Sequence, residues 1–306
     1  MPLATIESSV DLSRLLAGAQ LPALPQSALR LLELSQHQKN GPPEFAVPIE
    51  ADPGLAGQVL KFVNSAYFGF AREISSVKLA IAMVGIRTIK NFALWSAVFS
   101  LMPNPKCGPF ELRSLWQDSL RRALFARRFS KLIGLRDPED PFAAALLQDM
   151  AVPLLAKELS REYAVLLEGR EDGKLRLSQL EHGRFGWTHA TAAAQMARQW
   201  NLPDEFAALI ERHTEIDALV HEGESRRAEI AVAMSSLLPA TSETAWSELS
   251  RFEEYFGELA PSGVSILTLL ETIDAEFADF APVLKITAPE KSLVARYQEA
   301  IRAERR

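Results

Sequence analysis

The chain has 306 residues, 48% of them apolar and 24% charged, and a net charge of −6. That is long enough to bury a full core and hold two or three subdomains, and the acidic balance counts against broad affinity for nucleic acid. The single cysteine, Cys107, excludes an internal disulfide and a cysteine-based zinc site. The start, MPLATIESSVDLSRLL, lacks a basic region followed by an apolar core, and no apolar run approaches the roughly 20 residues of a membrane span, so a cytoplasmic protein without membrane contact is expected.

Apolar residues recur at helical spacing almost throughout, and no stretch alternates as a half-buried strand would; the expected class is all-α. Residues 1–20 read as a short helix carrying Leu12, Leu15 and Leu16, leading into the LPALP turn at 21–25. Pro25 opens a helix through about His37, and KNGPPE at 39–44 reads as a loop rich in breakers. In 51–69, ADPGLAGQVLKFVNSAYFG, Asp52 caps a helix and Pro53 takes its first turn. Leu55, Val59, Leu60 and Val63 form the apolar face. Asn64 follows where that face ends, so it is expected to be buried and to satisfy backbone groups of a neighbouring turn, and Gly69 closes the turn. Ser76 caps the next helix, Gly85 stops it, and a second helix runs from about Arg87 to Leu101.

MPNPKCGP at 102–109 is a joint. The stretch 143–155, AAALLQDMAVPLL, reads as one buried helix opened by Asp140 as cap and Pro141 at the first position, with Gln148 and Asp149 in its middle. Two adjacent polar groups are costly to bury unless something binds them. His189 falls in a first helical turn after Thr188, and His213 is placed to cap the end of another helix as a cation. Residues 227–238 read as an apolar helix, 239–246 as a polar loop, 262–280 as containing another helix, and Pro289 precedes a charged terminal helix that can pack back on the core. The five tryptophans read as core residues, His182 and His221 as exposed.

Several ordered motifs together resemble the HDOD family, the HD-related output domain of bacterial signalling proteins. They are LPALPQSALRLLEL at 21–34, the 51–69 segment, ISSVKLAIAMVGIRTIKNFAL at 74–94, SLWQDSLRRALFARRF at 114–129, AALLQDM at 144–150 and HATAAAQMARQWNLP at 189–203. The resemblance implies an N-terminal helical subdomain over 1–105 and a degenerate HD-like helical core over 106–221, leaving a C-terminal helical extension over 222–306.

An HD hydrolase holds one or two divalent metals on clustered His and Asp side chains. Carried across by resemblance, the first His position is Asp118 and the His of the His-Asp pair is Gln148, while Asp149, His189 and His213 remain. The late Asp is absent, since AEIAVAMSSLL offers only Glu229, at a different place. A Gln amide is a weak ligand beside imidazole. The resemblance therefore implies a non-catalytic signalling module without a cofactor. Its scaffold would bind a protein partner or a phosphorylated effector such as a nucleotide. The alternative is a residual metal-dependent phosphohydrolase acting on a cyclic dinucleotide, with Asp118, Asp149, His189 and His213 as ligands. In this reading Asp52, Pro53, Asn64, Gly69 and Gly85 are structural.

Charge is uneven. Seven basic residues lie in 111–136 against Glu111 and Asp118, and nine acidic residues lie in 240–281 against Arg251 alone. These read as two solvated helix faces; a nucleic-acid-binding role for the basic stretch is the weakest of the three readings.

Overall fold

The computed structural model describes residues 10–19, 21, 23–35, 37 and 39–304. Residues 1–9 and 20 of the first expected helix, and Pro22 of the LPALP turn, lie outside the described residues. Among those described, every regular element is a helix.

The first group comprises α1 (Leu12–Gly18), α2 (Gln26–Ser35), α3 (Pro42–Glu50), α4 (Pro53–Val63), α5 (Val77–Val84) and α6 (Ile86–Leu101). The expected loop at 39–44 is in part the start of α3. Prolines 42 and 43 occupy a first turn, whose N–H groups need no helical partner, and the Glu44 carboxylate accepts from the Gly41 N–H at 2.8 Å.

Asp52 caps α4 by accepting from Leu55 N–H at 3.1 Å, with Pro53 next in the chain, and Ser76 caps α5 through Leu79 N–H at 3.2 Å. Gly69 lies at φ +60°. Gly85, between α5 and α6, lies at φ 92° and ψ 151°, a region open essentially to glycine alone. A Cβ there would meet nothing within 4 Å, so the requirement comes wholly from the backbone. Gly85→Ala is expected to cost about 1–3 kcal/mol, read as a shift in urea midpoint.

Asn64 departs from expectation in one respect: it is exposed. Its backbone is not left-handed, at φ −85° and ψ 6°. The amide still ties two turns together, donating to Leu60 O at 3.0 Å and Ile74 O at 2.8 Å and accepting from Ile74 N–H at 2.7 Å. Because water can replace part of this, Asn64→Ala is expected to cost about 1 kcal/mol, the lower end for a satisfied hydrogen-bonding group. A loss of 3 kcal/mol or more in chemical denaturation would contradict the exposed placement.

The second group comprises α7 (Leu112–Leu132), α8 (Glu139–Leu147), α9 (Val152–Glu158), α10 (Ser160–Glu168), α11 (Leu177–Phe185), α12 (His189–Gln199), α13 (Asp204–Glu211) and α14 (Ile216–Glu222). After these come α15 (Arg227–Ser235), α16 (Leu249–Leu259), α17 (Ile266–Phe280) and α18 (Leu293–Glu304). Helix α7 is the axis of packing, lying against α8, α15 and α17, while α8 also meets α6 and α13. Leu120, Ala123, Leu124, Phe125, Ala126 and Phe129 give α7 a fully buried face.

The stretch 143–155 is not one helix. Helix α8 ends at Leu147, and Gln148–Ala151 form a turn before α9. The cause is Pro153: a proline has no N–H to give the carbonyl four residues back, which is that of Asp149, and its ring crowds that carbonyl. Asp140 also lies inside α8, and it pairs with Arg87 at 3.4 Å instead of capping.

The basic stretch is not a solvated face either. Arg121 and Arg127 are buried, Arg127 pairs with Glu139 and bonds Tyr67, and Arg128 pairs with Glu276 of α17. Basic and acidic stretches thus meet within the molecule. Helix α16 was not legible as an element; it places Phe252 and Phe256 beside Phe125 and Phe129. Trp95, Trp200 and Trp246 are buried and Trp116 and Trp187 half-buried, while His182 and His221 are exposed. Among the described residues no helix is long and apolar enough to cross a membrane.

Candidate functional site

The broken helix decides where the polar pair points. Gln148 and Asp149 sit at 0% and 6% exposure in the turn between α8 and α9, where their side chains are free of the helical repeat. Asp149 meets three groups from three other elements. Arg122 of α7 donates to its Oδ2. His189 Nε2 lies 3.2 Å and His213 Nε2 3.6 Å from its Oδ1.

The two imidazoles are held from behind. His189 is the first residue of α12, whose capping Thr188 accepts from Thr191 N–H at 3.3 Å. Both the backbone N–H and the ring Nδ1 of His189 donate to Glu181 Oε2 of α11, at 2.8 and 2.6 Å. Glu181 is wholly buried and accepts from the Tyr163 hydroxyl through its other oxygen. His213 follows α13 and its Nδ1 donates to Ile210 O at 2.6 Å. The Nε2 atoms consequently face each other at 3.2 Å.

Protonation follows from these partners. Burial opposes charge on Asp149, but Arg122 and hydrogen bonds from both histidines outweigh it and hold the carboxyl well below its usual range. Burial would lower His189, yet Glu181 and Asp149 raise it to about 9. Burial lowers His213, and the charge on His189 adds to this, so His213 is a neutral ring and not the cationic cap expected from sequence. His189 as imidazolium donates its Nε2–H toward Asp149 and the open Nε2 of His213. Two cations, Arg122 and His189, thus offset the carboxylates of Asp149 and Glu181.

Asp118 does not join the cluster. Its Oδ1 accepts from Thr241 N–H at 2.8 Å and from the Thr241 hydroxyl, and burial pushes its carboxyl up. Gln148 Oε1 accepts from Ser235 Oγ at 3.3 Å, and its buried Nε2 has no partner among the described residues. Ser235 is what α15 presents here, while Glu229 faces Arg226 at 3.2 Å.

Asp149, His189 and His213 offer three donor atoms within 4.8 Å of one another. Their spacing and the Glu181 and Ile210 bonds behind the rings fit a single transition-metal ion. Such an ion would lower the pKa of a bound water and polarise a phosphoryl oxygen. The residues do not fit a second ion: Asp118 is turned to Thr241 and Gln148 to Ser235. Holding even one ion means releasing the His189 proton. The sequence reading missed Arg122, Glu181 and Tyr163. Arg122 could have been found one helical turn beyond Asp118, but nothing in the sequence marks Glu181 or Tyr163.

The cluster opens into a cavity of about 960 Å³, whose lining also takes in residues 236–244, 246–248 and 288–291 and Arg296.

The HDOD domain matches residues 21–216. An uncharacterised protein of Treponema pallidum (strain Nichols) is 22% identical over 278 residues, which is 89% of this chain and 53% of that protein, so the chain spans about half the length of this curated relative. Among solved structures, an HDOD domain protein of unknown function from Geobacter sulfurreducens has a TM-score of 0.61 at 21% identity, covering 96% of this chain and 95% of that one. A Shewanella amazonensis SB2B protein provisionally named a phosphohydrolase has a TM-score of 0.67 at 21% identity, covering 92% and 99%. A Marinobacter aquaeolei VT8 protein provisionally named a signal transduction protein has a TM-score of 0.66 at 20% identity, covering 92% and 61%. At these identities the structures establish a shared helical fold, and with the motif match over residues 21–216 the chain belongs to the HDOD domain family.

Proposed function

We propose that this chain is a non-catalytic regulatory module in bacterial signalling, its HD-like scaffold serving to bind a protein partner or a small effector. The proposed division is an N-terminal helical subdomain to residue 105, the HD-like core to 221 and the extension beyond. The observation that carries this is the state of the polar pair. Gln148 stands where an imidazole ligand is expected and is bonded to Ser235, while Arg122 and protonated His189 already neutralise Asp149. A site whose two carboxylates, Asp149 and Glu181, are already offset by two resident cations gains little from a metal.

The three-donor arrangement favours one second reading, a residual phosphohydrolase with a single ion on Asp149, His189 and His213. The two are separated by metal analysis of protein purified without chelator, followed by assays of cyclic-dinucleotide hydrolysis with manganese, iron or nickel. The expected result is substoichiometric metal and no turnover. Stoichiometric metal with turnover that Arg122→Met raises and His213→Ala abolishes would establish the second reading.

A further inference from the structure

Five of the carboxylates that line the cavity have partners, while Glu111, Glu168 and Glu290, on the same lining, are exposed to solvent. Asp149 is held by Arg122, Glu243 by Arg170, Asp118 by Thr241, and Asp172 accepts from Thr244 N–H at 2.6 Å. Glu248 takes Arg251 at 3.2 Å. Of the cations on the same lining, Arg296 has no ion pair among the described residues and Arg176 has only a long one. Arg296 of α18, only 7% exposed, donates one hydrogen bond, from Nη2 to Thr241 O at 3.0 Å, and makes no ion pair among the described residues; its buried Nη1 has no partner. Arg176, just before α11, donates from Nη2 to Ser236 Oγ at 2.7 Å and pairs through Nε with Glu248 at 3.9 Å, a carboxylate it shares with Arg251; its buried Nη1 has no partner among the described residues. Gln148, fully buried, adds an unpartnered amide nitrogen to the same lining.

Buried donors in native proteins are nearly always satisfied, and a buried guanidinium without a carboxylate costs more than a neutral group. Three such donors on one cavity, two of them guanidinium, match an acceptor-rich anion; the planar guanidinium fork suits phosphate oxygens. The volume, about 960 Å³, is that of a small-molecule pocket. Hydroxyls of Ser236, Ser242 and Ser247 add neutral partners at the rim.

We propose that the cavity binds a phosphate-bearing small molecule through Arg176, Arg296 and the Gln148 amide, and that the C-terminal extension, beyond the matched HDOD span, exists in part to complete this site. The proposal rests on the reading of the chain as an effector-binding module and narrows the effector to a phosphate compound. It needs no metal and no reaction. It also fits the fastening of the segment before α18 to α7, where Gln117 donates to Thr287 O at 2.7 Å and Arg121 bonds Lys291 O.

Isothermal titration of the full chain with inorganic phosphate, pyrophosphate and adenosine 5′-monophosphate, all in chloride buffer, tests this. The expected result is saturable binding of at least one of them with a Kd of about 1 mM or tighter. Arg296→Met and Arg176→Met should each weaken it roughly tenfold or more. Exposed Arg30, paired with Glu33 at 2.8 Å, serves as control, and Arg30→Met should bind like the parent. Should Arg296→Met fail to fold, Arg296→Lys keeps the charge without the fork and should still weaken binding. Absence of binding by all three probes, or equal affinity in the arginine variants and the parent, overturns the phosphate site. That failure leaves a non-catalytic module with a protein partner standing, whereas metal-dependent turnover overturns that reading whatever phosphate does.

Discussion

Asp149→Ala should destabilise the protein by about 3–5 kcal/mol, the cost of stranding buried charge after one partner of an ion pair is removed. Asp149 is 6% exposed and is the shared anion of Arg122, His189 and His213. Removing it leaves the Arg122 guanidinium without its ion-pair partner and the His189 imidazolium with Glu181 alone, and the neutral His213 ring facing that imidazolium at 3.2 Å. Arg122→Met combined with Asp149→Leu should recover about half of the loss, because replacing both members of a buried pair by apolar groups is far cheaper than deleting one. Urea unfolding of the parent, the single variant and the pair measures this. An Asp149→Ala midpoint within about 1 kcal/mol of the parent would show that the cation pair does not depend on this carboxylate. The consequence for function is practical. Lost activity in an Asp149 variant can be assigned to chemistry only after its unfolding curve has been compared with the parent.

The elements visible in the sequence were those whose signal is local. Asp52, Ser76 and Thr188 cap the helices that their positions suggest, since a cap needs only an N–H three residues on. Gly85 marks a boundary because its backbone angles exclude other residues. Where the signal was local but misweighed, the error has an identifiable residue. Pro42 and Pro43 read as breakers although a first helical turn accepts them, and Pro153 ends a helix whose apolar run conceals the break. Asn64 lies among apolar neighbours in sequence, yet its side chain leaves the core for the Ile74 backbone.

Half of the candidate site was legible and half was not, for a reason of range. Asp149 stands out as a polar residue in an apolar run, and His189 and His213 come from the resemblance to the HDOD family. Glu181 is a glutamate in an ordinary helical segment, and only the approach of α11 to α12 and of Tyr163 makes it the anchor of His189. The same holds for Arg176 and Arg296, 120 residues apart in sequence, which reach one cavity only because the segment before α18 is bonded to α7 and α18 packs on α17. The basic stretch looked exposed because its partner carboxylates, Asp149 and Glu276 among them, lie far along the chain.

Glu181 is the residue through which pH should act, and Glu181→Gln should show it. His189 is raised from 6.5 to about 9 in the folded protein, with Glu181 the largest favourable influence. A group whose pKa is raised on folding stabilises fully below its unfolded value and loses that contribution as pH climbs through its folded value. The His189 contribution is therefore complete below about pH 6.5 and fades as pH rises to 9 and beyond. Asp149 acts at the other limit: its lowered pKa gives stability above the ordinary carboxylate range that is lost as pH falls through the depressed value. Glutamine keeps the volume of Glu181 but not its charge, and one amide oxygen must then serve the His189 N–H and ring N–H that now share Oε2. The Tyr163 hydroxyl is left facing an amide N–H. The expected outcome is a loss of about 1–3 kcal/mol at neutral pH and an alkaline limb of the stability curve moved to lower pH. NMR titration of the His189 ring should place its pKa in the variant at least one unit below that of the parent. A ring that titrates at the same pH in both would mean that Asp149 alone sets the charge of His189, and that Glu181 positions the imidazole without governing its proton.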